Sequence, residues 1–172
     1  MSQGRDSGST LTLADFEPVL EELLPETCAV LSAARLTVHP SVTHVVLHGS
    51  RGLARRWRAD SDIDLTLVAD RPAEHSSSDL ERAMRETLAM ARGNWSGGVE
   101  VDLAVVFDVR GCGLHCFESR EWRADLCSIG GQDCFGLYKE QRGYGGLVTN
   151  AGVEVRRMFP CLVVWRRSQA QR

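Results

Sequence analysis

The chain has no apolar run approaching the roughly 18 residues that a membrane span needs. Residues 1–10 are Ser/Gly-rich and polar, without the apolar stretch of a secretory leader, and read as a disordered tail. These two absences make the cytoplasm the expected location. Positive charge is also not in excess: the formal net charge is -3, so bulk binding to nucleic acid is not expected, and basic residues matter only where they cluster. No repeat and no low-complexity segment occurs. Six cysteines are scattered along the chain (Cys28, Cys112, Cys116, Cys127, Cys134, Cys161) with no paired Cys-x-x-Cys spacing, and in a reducing compartment they are expected to be free thiols. The 172 residues are 43% hydrophobic and 25% charged, which suits one domain over residues 11–172 with a core of its own.

The apolar positions Leu13, Phe16, Val19, Leu20, Leu23 and Leu24 recur at helical spacing, and Pro25 breaks or restarts the pattern before Cys28, Leu31 and Ala34. One or two helices are therefore expected ahead of a first strand, Val42–Leu47, and a second, Ile63–Val68, which should pair with each other. A capping box at Ser78-x-x-Glu81 opens an amphipathic helix with Leu80, Ala83, Met84, Thr87, Leu88 and Ala91 on one face, which Gly93-Asn94 should end. A third strand follows over Val99–Phe107. The order predicts an α+β fold with a small mixed β-sheet flanked by helices, its core at residues 42–107. Residues 109–172 read as an irregular extension with glycine-rich punctuation around Gly143–Gly146 and one or two further strands within Val153–Trp165, which Pro160 would interrupt or place at an edge.

Chemistry concentrates between His48 and Leu67. The first strand stops at Gly49-Ser50, where glycine allows a sharp turn with N–H groups available to an anion. Arg51, Arg55, Arg56 and Arg58 follow, and guanidinium groups grip phosphate oxygens in a fork. Asp62 and Asp64 then stand two apart at the start of an apolar strand. The period of two places both carboxylates on one face, with Ile63, Leu65 and Leu67 on the other. Such close like charges repel unless a cation lies between them, and hard carboxylate oxygens suit Mg²⁺. Asp102, isolated in the third apolar strand, would be costly to bury alone and is expected beside the other two.

These residues resemble the minimal nucleotidyltransferases of the DNA polymerase β superfamily: Gly49-Ser50, then Asp62-x-Asp64 in a Ser-Asp-Ile-Asp-Leu context, then Asp102 in an apolar strand. The resemblance spans about residues 42–107, and it departs in a longer Ser50–Asp62 linker with a bulky Arg55-Arg56-Trp57-Arg58 insert. It implies a nucleotidyltransferase-like fold and an enzyme that moves a nucleoside monophosphate from a nucleoside triphosphate, ATP first, to a hydroxyl acceptor. Asp62, Asp64 and Asp102 would be catalytic and would hold two Mg²⁺ ions. Gly49 and Ser50 would bind the phosphates, with Arg51 and Arg58 the arginines placed to assist. The acceptor would be a partner protein's hydroxyl or a small molecule, since little chain remains to enclose a large one.

Duller readings stand beside these. The acids could be solvated strand ends, and the arginines a solvated loop. His48 reads as a satisfied turn histidine. Trp122, Trp165, Phe135 and Tyr138 could stack a base, although isolated aromatics usually belong to the core. Cys112-x-x-His115-Cys116 could begin a zinc site with Cys127 or Cys134. The whole domain could also act without turnover, as a nucleotide-binding or antitoxin-like regulator that pairs with a toxin partner.

Overall fold

A computed structural model describes residues 7–72, 76–108, 111–127, 136–141, 144–149 and 155–168. Three strands form its centre: β3 (Val42–His48), β4 (Ile63–Ala69) and β5 (Val101–Phe107). β3 and β4 run antiparallel, with His48 opposite Asp64, whereas β4 and β5 run parallel, with Asp64 opposite Asp102. Parallel strands need a long crossover, and α3 (Ser77–Gly93) supplies it. β6 (Gly136–Gln141) and β7 (Tyr144–Thr149) extend the sheet beyond β5, and β8 (Leu162–Arg166) extends it beyond β3. The result is a mixed six-stranded sheet of order β7-β6-β5-β4-β3-β8, within an α+β architecture.

Alternation along the central strands separates two apolar layers. Val45, Leu47, Ile63, Leu65, Leu67, Leu103, Val105 and Phe107 are wholly buried on one face. They pack under α1 (Pro18–Leu23), α2 (Pro25–Ala34) and α3 through Leu20, Leu31, Met84 and Leu88. On the opposite face Val46, Val68 and Val106 meet Leu114, Cys116, Phe117, Cys161 and Val163, a smaller cluster roofed by the chain that follows β5. Phe159 stacks on Phe117 and meets Trp122 edge to face, so Trp122 is part of this packing; Trp165 is buried in the helix-side core. Asp108 fixes the start of the roof by accepting from the N–H groups of Cys112 and Gly113 at 3.1 and 2.8 Å.

The elements depart from the sequence expectation in four places. Ser9–Thr10 is a short strand, β1, paired with β2 (Thr37–Val38), so the tail does not extend to residue 10; the Thr10 and Thr37 hydroxyls bond at 2.9 Å and Leu11 is buried beside them. The cap of α3 is Ser76, not Ser78: its hydroxyl accepts from Asp79 N–H and donates to the Asp79 carboxylate, which puts the box two residues earlier and holds the Asp79 carboxyl below its usual range. β5 begins at Val101 rather than Val99, because the Val99 carbonyl accepts from the Trp95 indole at 3.0 Å and only Glu100 carbonyl onward meets β4. The glycine-rich segment forms the β6–β7 hairpin instead of irregular chain, whereas β8 agrees with the one or two strands expected within Val153–Trp165, lying among the described residues after a 3-10 turn over Val155–Met158 and Pro160. No helix among the described residues is long and apolar enough to cross a membrane.

Candidate metal centre

Asp62, Asp64 and Asp102 meet at one end of the roofed face. β4 and β5 are parallel and in register, so their N-terminal ends lie side by side, and Asp64 and Asp102 project from directly opposed positions. Asp62 stands at the entrance to β4, two residues from Asp64 and on the same side. One carboxylate oxygen from each lies within 4.8 Å of the others, and all three residues are half-buried. Asp102 Oδ1 is buried at the floor of the cluster. Carboxylate oxygens are hard donors of the kind divalent cations take, and here three of them converge. The three acids could hold a metal ion.

The turn after β3 closes on this cluster. Gly49 has φ +73° and lies so near Asp64 that a Cβ built on it would stand 2.0 Å from Asp64 Oδ2. Only glycine can hold this conformation at that distance without displacing the carboxylate. Gly52 N–H donates to the Gly49 carbonyl at 3.1 Å and Arg56 N–H to the Ser50 carbonyl at 2.9 Å, which winds the loop into consecutive turns. From α2, Thr27 Oγ1 donates to the Arg51 carbonyl at 2.7 Å and ties the loop to the helical layer. Beside the acids, His48 Nε2 and Thr66 Oγ1 are 2.9 Å apart, and this pair forms the next rung of the same face, with Thr66 fully buried.

The two arginines expected near phosphate have different surroundings. Arg51 is turned inward and only 4% exposed; its Nε donates to the Ser61 carbonyl at 2.7 Å and its guanidinium lies 4.7 Å from the centre of the Trp57 ring. The loop is thereby braced between the residue after Ser50 and the residue before Asp62. Arg58 is open to solvent, 3.6 Å from Asp60, with its backbone N–H bonded to Ser61 Oγ at 2.8 Å. The bracing role of Arg51 and the placement of Trp57 were not legible in the sequence, which does not show that Arg51 turns inward while Arg58 stays exposed.

Cys28, Cys112, Cys116 and Cys161 are free thiols. The acid cluster is the one group of three or more metal-ligating side chains among the described residues, so Cys112, His115, Cys116 and Cys127 are not gathered as a zinc site; Cys134 and Phe135 lie outside those residues, and Tyr138 is described only in its backbone. Burial pushes the Cys116 thiol up to about 11 and the Cys161 thiol up to about 12. Comparison with protein-family models, with curated proteins and with solved structures finds no match to this chain.

Proposed function

We propose that the protein is a Mg²⁺-dependent nucleotidyltransferase that moves a nucleoside monophosphate from a nucleoside triphosphate, with ATP the first candidate, to a hydroxyl acceptor and releases pyrophosphate. The observation that carries this reading is the convergence of three carboxylates with a glycine turn seated directly on one of them. Phosphoryl chemistry of this kind depends on positioning and charge neutralisation more than on covalent help. Divalent ions bound by Asp62, Asp64 and Asp102 would neutralise the triphosphate and align an in-line displacement. Asp64, on which Gly49 is seated, and Asp62 would orient the donor. Backbone N–H groups of Gly49 and Ser50 would hold the leaving pyrophosphate. Asp102 would sit beside the acceptor oxygen and favour loss of its proton. Half-exposure of all three acids favours an acceptor presented from outside, such as a Tyr, Ser or Thr hydroxyl of a partner protein.

Incubation with α-labelled ATP, Mg²⁺ and lysate of the host cell tests this. A discrete labelled protein band, absent with Asp64→Asn, is the expected result. Label on small species alone would replace the protein acceptor by a small molecule, and no transfer to either would overturn the enzymatic reading.

A further inference from the structure

Trp57 and Leu13 are the large apolar side chains left exposed among the described residues, and Trp57 stands in the loop that joins the glycine turn to Asp62. Trp57 is 42% exposed, yet it is not loosely held. The guanidinium of Arg51 covers one face of the ring, 4.7 Å from its centre. Arg51 is itself nearly buried, bonded at Nε to Ser61, with its carbonyl bonded to Thr27. Burying a guanidinium is costly unless it is well partnered, and here the burial fixes a tryptophan whose other side remains open. The two anchors of the stack adjoin site residues, Arg51 following Ser50 and Ser61 preceding Asp62. Its neighbours Arg55, Arg56 and Arg58 are exposed, with the Arg55 guanidinium donating to the Leu23 carbonyl at 3.1 Å and Arg58 lying 3.6 Å from Asp60. A rigid aromatic face in the loop that joins the glycine turn to the acid cluster matches the heterocyclic base of a nucleotide whose phosphates reach that turn.

We infer that the open face of Trp57 is the stacking platform for the base of the nucleotide whose phosphates reach Gly49 and Ser50. This rests on the nucleotidyl-transfer reading and adds the base-binding side to it. Every base offers a π-face, so the platform discriminates by ring area and favours purines over pyrimidines without selecting one purine.

Calorimetry on the full chain with Mg²⁺ tests it, using an ATP analogue blocked between the α- and β-phosphorus and, in parallel, tripolyphosphate, which has no base. Stacking on an aromatic side chain corresponds to about 5- to 150-fold in affinity per base. Trp57→Leu should weaken the analogue by about that range, Trp57→Phe should restore most of the affinity, and tripolyphosphate should bind both variants and the parent within about twofold. Parent-like affinity of Trp57→Leu for the analogue overturns the inference while leaving transfer intact. Equal losses for analogue and tripolyphosphate overturn it too, because they make Trp57 a brace of the phosphate loop. If the unsubstituted protein binds neither compound, the proposed function falls and this inference with it.

Discussion

On the helical side of the sheet, Leu65 and its neighbours on β3 and β5 are apolar, fully buried and closed by α1, α2 and α3. On the other side the same three strands carry two kinds of surface: valines under a loop roof at one end, and His48, Asp64, Thr66 and Asp102 at the other. One residue of offset along β4 therefore separates Ile63 from Asp64, a core side chain from a candidate metal ligand. The first face can be read as stability. The second gathers three carboxylates at its polar end, which repel one another and which a cation could hold together.

Substitutions that cross this division should behave differently. Leu65→Ala empties space in the larger core and should cost about 2 to 5 kcal/mol in urea unfolding. Val106→Ala removes two buried carbons on the roofed face and should cost about 1.6 kcal/mol, plus what the cavity adds. Costs in the reverse order would mean that the roof, not the helical layer, is the main core. At the polar end, Gly49→Ala meets both a left-handed backbone and the Asp64 carboxylate, and a loss of about 1 to 3 kcal/mol is expected. A parent-like melting temperature for this variant would show that the turn relaxes freely and is not seated on the acid.

The roofed layer should also respond to alkali. Cys116 and Cys161 have folded values of about 11 and about 12 against an ordinary 9.0, raised chiefly by burial. Well below pH 9 both thiols are neutral in folded and unfolded chains, and their contribution is fully present. As pH climbs from there through about 11 to 12, the unfolded chain releases protons that the fold retains, so stability should fall. Replacing both by Ala should flatten that fall across the same window, which unfolding curves at pH 8 and 10 would record. The smallest effect belongs to Asp62→Asn with Asp64→Asn in metal-free buffer. Relief of repulsion should leave the melting temperature equal or slightly higher, and a clear drop would assign these carboxylates a structural role.

Much of this division could be read along the chain, because strand alternation is a local property. Val42–His48, Ile63–Ala69 and the acids within them follow from apolar runs interrupted at period two, and α3 from its helical stripe. What could not be read depends on partners distant in sequence. β1 and β2 have two residues each, too few to show a period, and exist because Leu11 and Val38 are buried together. The β6–β7 hairpin is rich in glycine and lacks alternation; its place is set by pairing of β6 with β5. Arg51 and Arg58 are equivalent by composition, and only tertiary contact with Ser61 and Trp57 turns the first inward. The cap of α3 at Ser76 was hidden among three consecutive serines, each able to accept the first-turn N–H.

The central claim, that the polar end of the roofed face binds divalent cations for use on a triphosphate, is tested most directly by calorimetric titration of Mn²⁺ into the protein with and without the blocked ATP analogue. Binding that strengthens when the analogue is present and vanishes with Asp64→Asn is the predicted result. Mn²⁺ binding that is absent from the parent protein, or that survives Asp64→Asn unchanged, would contradict it.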